Sequence, residues 1–282
     1  AALPAMREVD LFVFYSYRYY HTFFGLPKVA SRAVLVPTAE EDPAIELPVF
    51  GDLFRAPRGI VYLTPEERSL VQGVSANEAV PSVVVGSGVN LPAGWRDVDA
   101  RARFSLPERY LLYVGRIDRN KGVDKLCADY RRLRAEWPEA PPLVLVGRPA
   151  LEIPPHAGIR HLGFVTEEEK FALIASCDVL LMPSRYESLS VIVLEAWAMG
   201  RPVLVNSDCR VLEGQCVRSG GGLFYRGYSE FVAALRRLAG EPGLGARLGA
   251  AGRDYVRREY DWDVVESRMN AFLEGLARAP AR

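Results

Sequence analysis

The 282 residues are 49% hydrophobic and 25% charged, which excludes disordered and fibrous classes and suits two modest cores rather than one large one. Thirty-five basic residues cancel thirty-five acidic ones, so no global field draws the chain to nucleic acid or to an anionic membrane, and any bound anion must be held by local groups. The cysteines, Cys127, Cys177, Cys209 and Cys216, form no CxxC pair and read as reduced thiols of a cytoplasmic protein, while His21, His156 and His161 offer no helical zinc pair, so no metal is expected.

No apolar run approaches the roughly 20 residues a membrane span requires, and no signal peptide is legible. Leu3-Pro4-Ala5-Met6 leads from Ala1 straight into a strand pattern, which reads as a cut inside a longer product with an upstream segment missing.

Short β-branched and aromatic runs alternate with amphipathic ones from the start. Val9 to Tyr15, Arg32 to Pro37, Ile60 to Leu63 and Ser82 to Val85 are expected strands; Val49 to Arg55 and Pro65 to Val74 are expected helices. The second helix opens on Thr64-Pro65-Glu66-Glu67, which supplies an N-cap, a first-turn proline and first-turn acids. Turn formers cluster from Gly86 to Gly94, and the domain boundary is placed there, giving domains at 1–95 and 96–282.

The rhythm then restarts, with strands at Tyr110 to Gly115, Leu143 to Gly147, Ile159 to Leu162, Asp178 to Met182 and Pro202 to Val205. Helices are expected at Val123 to Trp137, from a Thr166 to Glu169 capping box to Ser176, and up to the Gly200-Arg201-Pro202 stop. Three more follow near Glu230 to Ala239, Leu244 to Arg258 and Asp263 to Ala277. Strand and helix alternate, so both sheets should be parallel, with ligands at the carboxyl ends of the strands and in the cleft between domains. Tyr15 to Tyr20, ahead of His21 near a strand end, reads either as a face toward an acceptor or, the expectation, as ordinary packing, and the basic pairs Arg131-Arg132, Arg236-Arg237 and Arg257-Arg258 as solvated helix surface rather than membrane contact.

Two segments carry chemistry. Gly115-Arg116-Ile117-Asp118-Arg119-Asn120-Lys121-Gly122 places a guanidinium and an ammonium five positions apart across a strand-to-helix turn, a spacing that grips a diphosphate; the plainer reading is a charged, solvated turn. Pro183 to Glu195 sets Glu187 before a helix and Glu195 inside it, with the amides of Leu189, Ser190 and Val191 at the helix N-terminus, where an anion is favoured. Carboxylates accept from vicinal diols, so this pair suits a sugar and a ribose. Glu195 stands among Ile192, Val193, Leu194, Ala196 and Trp197, and a carboxylate in so apolar a helix needs a reason.

Together these segments resemble the retaining glycosyltransferases of family 4, an α/β class with the GT-B fold: two Rossmann-like domains with parallel sheets facing across a cleft. Gly115-Arg116 to Lys121-Gly122 is similar to that family's basic turn, and Glu187 with Glu195 to its two glutamates separated by seven residues. The likeness runs from about Ser82 to the last helix. It implies that Arg116 and Lys121 bind the donor diphosphate, that Ser188, Leu189 and Ser190 complete a phosphate cradle, that Glu195 binds the ribose hydroxyls, and that Glu187 is the catalytic residue at the transferred sugar. It also implies a UDP- or GDP-sugar co-substrate without metal or other cofactor, an unidentified glycan, lipid or small-molecule acceptor, a cytoplasmic location with peripheral contact at the inner membrane face as a further option, and a last helix, about 263–277, that crosses back to the first domain.

Two departures stand out. Ser190 occupies a position where the family often has glycine, and Pro37-Thr38-Ala39-Glu40-Glu41-Asp42 lacks the family's glycine-rich loop and histidine, so the first domain is expected to be incomplete. The rival reading is a non-catalytic nucleotide-sugar-binding subunit or inactive fragment.

Overall fold

A computed structural model of the chain describes residues 9–280, so the Leu3 to Met6 lead-in lies outside the described residues. The chain divides into two compact units: residues up to Gly88, with Glu187–Leu189 and the segment from Trp262 onward, form one, and Val89–Tyr186 with Ser190–Asp261 form the other.

The first unit contains β1 (Phe12–Tyr15), α1 (Tyr20–Gly25), β2 (Ala33–Val36), α2 (Pro48–Arg55), β3 (Gly59–Tyr62), α3 (Pro65–Ser75) and β4 (Ser82–Val84), and its sheet is parallel in the order β1-β2-β3-β4. The two central strands are continuous apolar runs because both their faces are covered. Leu35, Ile60 and Tyr62 face a core with Leu26, Phe54 and Val71, whereas Val34, Val36 and Val61 face Val265 and Leu276 of the last helix. Gly59 is what lets that helix approach, since a side chain there would press on Leu276 and Phe272. The Arg58 guanidinium donates to the carbonyls of Leu276 and Ala279, closing the helix's C-terminal end.

Glu67 sits wholly buried at the start of α3. Thr64 caps the helix by accepting from the Glu67 amide at 3.1 Å, and the Glu67 carboxyl accepts from the amides of Ala39 at 2.6 Å and Leu63 at 2.5 Å, tying the loops that follow β2 and β3 together. Burial pushes its pKa from 4.5 up to about 8, against the pull of those backbone donors. The folded protein therefore holds a proton that the unfolded chain releases, and this contribution is full below pH 4.5 and lost as pH rises to about 8. Urea unfolding from pH 5 to 8 should show wild-type stability falling more steeply than that of Glu67→Gln; parallel profiles would contradict the assignment.

The second unit contains α4 (Ala100–Phe104), β5 (Leu111–Val114), α5 (Val123–Glu136), β6 (Leu143–Val146), β7 (Ile159–His161), α6 (Glu167–Ser176), β8 (Val179–Met182), α7 (Val191–Ala198), β9 (Val203–Asn206), α8 (Arg210–Ser219), β10 (Gly222–Tyr225), α9 (Gly227–Gly240) and α10 (Leu244–Glu259); α11 (Trp262–Arg278) is the helix that packs on the first sheet. The second sheet is parallel in the order β10-β9-β8-β5-β6-β7. Its core is built on Leu111, Tyr113, Leu143, Leu145, Leu181 and Leu204 under α5 and α9. Glycines of α10 allow tight packing: Gly249 lies on the Gly200 carbonyl, Gly252 on the Trp197 ring, and the Trp197 indole donates to the Gly221 carbonyl at 2.8 Å.

Four elements, α1, α4, α8 and β10, stand where the sequence reading placed none. The segment after β9, read as leading only to the three closing helices, contains α8 and β10 as well. Gly214 weakens the helical signal of α8, and β10 opens on a run of three glycines that resembles a loop. Gly222 is in fact a strand residue, chosen because a Cβ there would stand 2.5 Å from the Val203 carbonyl of the neighbouring strand. The aromatic stretch is also not uniformly packed. Tyr17 is buried, but Tyr20 and Phe24 are exposed and lie against one another in a tilted ring pair with centroids 4.7 Å apart.

Candidate active site

In the second unit the chain moves outward from β5 through β6 to β7, then restarts on the other side of β5 with β8, β9 and β10. The gap between β5 and β8 is thus the topological switch point, where the turns at the carboxyl ends of two adjacent strands diverge and leave a crevice. Both segments singled out in the sequence leave the sheet there: Gly115 to Gly122 after β5, and Pro183 to Ser190 after β8.

The first turn is shaped by Asp118. Its Oδ1 accepts from the Lys121 amide at 2.8 Å, its Oδ2 lies 3.6 Å from Arg116 Nε, and its carbonyl accepts from the Val123 amide at 3.2 Å. The Tyr113 hydroxyl donates to the Arg116 carbonyl at 2.6 Å. Arg116 is left with 71% of its side chain exposed, and Lys121 is partly exposed.

Backbone contacts brace this turn. The Ile117 amide donates to the Arg148 carbonyl and the Ala150 amide to the Ile117 carbonyl, at 3.0 and 2.9 Å. Gly122, at φ +72°, caps α5 with its Cα against the Pro183 carbonyl, which any Cβ would meet at 2.5 Å. That carbonyl also accepts from Asn206 Nδ2 at 3.2 Å, which ties the second turn to the end of β9.

At the second turn, Ser190 precedes α7 with 2% exposure, and its hydroxyl is shielded without a partner. The Val193 and Leu194 amides donate to the Ser190 carbonyl at 3.2 and 3.3 Å, closing the first turn of α7, and the helix dipole favours negative charge at the open end ahead of them. Glu195 lies within α7 at 8% exposure. Its Oε1 accepts from Lys170 Nζ at 2.8 Å, and the same ammonium reaches Glu167 Oε2 at 2.8 Å. Burial raises the Glu195 pKa, and the Lys170 ammonium opposes that rise; for Lys170, burial acts downward but the hydrogen bonds to Glu167 and Glu195 outweigh it, so the lysine stays firmly charged.

The remaining residues group elsewhere. Glu187, Ser188 and Leu189 belong with the first unit; Glu187 and Leu189 are buried, and the Ser188 carbonyl accepts from Thr64 Oγ1 at 3.1 Å. Thr64 thus caps α3 and anchors the Glu187 loop with one hydroxyl. The sequence reading missed Lys170, Asp118 and the Arg148 brace. Asp118 stood in the quoted turn and its Asx geometry was legible; Lys170 was not, because its partner lies twenty-five positions away on another helix. Among the described residues no group of three or more His, Cys, Asp or Glu stands together as a cation site, and no helix is long and apolar enough to cross a membrane.

This architecture has solved counterparts. The sucrose-phosphate synthase of Thermosynechococcus elongatus superposes with a TM-score of 0.80 at 20% identity, covering 96% of this chain and 75% of that one. The fold is GT-B. An Anabaena protein solved with UDP and glucose superposes with a TM-score of 0.77 at 15% identity, over 96% of this chain and 79% of that one. Residues 108–241, which hold both turns, match the family model described as glycosyl transferases group 1. A glycogen synthase of Mycobacterium tuberculosis is 30% identical over 196 residues, which is 64% of this chain and 45% of that protein. The chain spans about half the length of the curated relatives it matches.

Proposed function

We propose that this chain carries the donor-binding part of a retaining glycosyltransferase of family 4 that moves a sugar from a nucleoside-diphosphate sugar to an acceptor without a metal. The observation that carries the reading is the placement of an exposed Arg116, a partly exposed Lys121 and a helix N-terminus together at the switch point of a doubly wound sheet. UDP is the preferred donor nucleotide because a GT-B neighbour holds it; a GDP-sugar is the alternative. The acceptor is a glycan, lipid or small molecule, and a cytoplasmic location fits four buried cysteines with no CxxC pair.

In this reading Arg116 and Lys121 grip the diphosphate, the amides of Leu189 and Ser190 with the Ser188 and Ser190 hydroxyls cradle a phosphate, Glu195 accepts from the ribose hydroxyls through the oxygen that Lys170 does not occupy, and Glu187 holds the transferred sugar. The C1–O bond to phosphate breaks as the acceptor oxygen bonds to C1 on the same face, and the acceptor proton passes to the departing phosphate oxygen. The chain's part is positioning and charge stabilisation. Arg116→Ala and Lys121→Ala should each weaken UDP binding at least about tenfold, since a charge-assisted hydrogen bond contributes roughly 1.5 to 3 kcal/mol, while leaving uridine binding nearly unchanged. Equal losses for UDP and uridine would remove the diphosphate role.

A second reading, a nucleotide-sugar-binding subunit without catalysis, draws on the acidic Glu40-Glu41-Asp42 loop after β2, which has neither a glycine run nor a histidine. It shares the donor site and differs in binding a nucleotide-sugar without turning it over.

A further inference from the structure

The opposite end of the second sheet, where its strands begin, holds a cavity of about 450 Å³. Arg109 and Leu111 at β5, Pro141 before β6, Asp178 before β8 and Pro202 before β9 line it, and Trp137 after α5 with residues of α9 and α10 closes it. It lies wholly within one unit and at the far end of α7 from Ser190, about 12 Å along the helix axis at 1.5 Å per residue, so it is independent of the donor site and of the function proposed for it.

Its walls are of two kinds. Leu111, Trp137, Leu235 and Leu238 give an apolar surface, while Arg109, Arg201 and Arg253 bring three guanidinium groups against a single carboxylate, Asp178. Arg109 takes that carboxylate, donating from Nε to Oδ2 at 2.8 Å. Arg253 donates from Nη2 to the Met199 carbonyl at 3.0 Å, and its Nε is shielded from solvent with no acceptor. Among the described residues neither Arg201 nor Arg253 is ion-paired, so two uncompensated cations border one apolar hole. Charge beside low-dielectric surface is unfavourable until it is paired, and guanidinium groups pair best with the oxygens of phosphate or carboxylate. The volume is that of a small-molecule site.

We propose that this cavity is a binding site for a small organic anion, with a phosphate or carboxylate head held by Arg201 and Arg253 and a compact apolar body on Trp137, Leu235 and Leu238. The test is calorimetric titration of the whole chain with phenyl phosphate, with phenol as the neutral control, with and without saturating UDP. Phenyl phosphate should bind at least about tenfold more tightly than phenol, and UDP should not displace it. Arg201→Gln and Arg253→Gln should each weaken it about tenfold. So should Ala246→Trp, which fills the cavity from an exposed position on α10 without touching an arginine and keeps the proposal testable if an arginine variant fails to fold. Absence of binding, equal affinity for phenol, displacement by UDP, or undiminished affinity in folded Ala246→Trp and Arg201→Gln would each overturn the proposal.

Discussion

Gly147→Ala is expected to destabilise the chain by roughly 3 to 5 kcal/mol. Gly147 follows β6 at φ +136°, and a Cβ there would drive into the Gly115 carbonyl, a backbone atom that has no room to retreat because the Gly115 amide is itself bonded to the Val146 carbonyl at 3.0 Å. Positive φ costs a non-glycine residue about 1 to 3 kcal/mol and forced overpacking a similar amount, and here both act together. Gly163→Ala separates the two: it sits at φ +75° with nothing within 4 Å of the added methyl, so strain alone acts and the loss should be about 1 kcal/mol. Urea unfolding of the two variants reads the difference, and equal losses would mean that the Gly115 carbonyl moves aside. Because the loop from Gly147 to Ala150 braces Ile117, whatever fraction of Gly147→Ala folds should also bind nucleotide less well.

Glu195→Ala is expected to weaken binding of UDP and of uridine alike, by between about ten- and a hundredfold. Two charge-assisted hydrogen bonds to a vicinal diol contribute roughly 1.5 to 3 kcal/mol each, less what is saved when a carboxylate at 8% exposure no longer has to be desolvated further. The fold should survive, because Lys170 keeps Glu167 as a partner at 2.8 Å. Parallel losses for nucleotide and nucleoside mark a ribose contact, whereas the variants at Arg116 and Lys121 should spare the nucleoside. Unchanged affinity in a folded Glu195→Ala protein would end the ribose assignment.

Much of the fold is legible wherever local chemistry and tertiary role agree. The Thr166 to Glu169 capping box forms as expected, with the Glu169 amide donating to Thr166 Oγ1 at 3.2 Å and the Thr166 amide to Glu169 Oε2 at 2.9 Å. The buried strands show as apolar runs because both faces of a parallel sheet are covered. Legibility fails where tertiary contact overrides local propensity. Gly222 enters a strand because its neighbour's backbone leaves no space for a side chain, and Gly252 lies in mid-helix because the Trp197 ring rests on it.

For the candidate site, the sequence shows which residues carry charge at strand ends but not which strands are adjacent. The pairing of β5 with β8, which places Lys121 and Ser190 at one switch point, arises from the order of the sheet. The Lys170 to Glu195 ion pair is hidden for the same reason, since only the packed fold brings α6 to α7.

Thermal unfolding of the chain with UDP, GDP and ADP, each at high concentration, tests the central claim most directly, because a ligand at 100 times its dissociation constant stabilises by roughly 2.7 kcal/mol. The account predicts a rise in Tm with one nucleoside diphosphate, UDP first, that is much reduced in Glu195→Ala. No rise with any of the three in a folded protein, or an undiminished rise in Glu195→Ala, would contradict it.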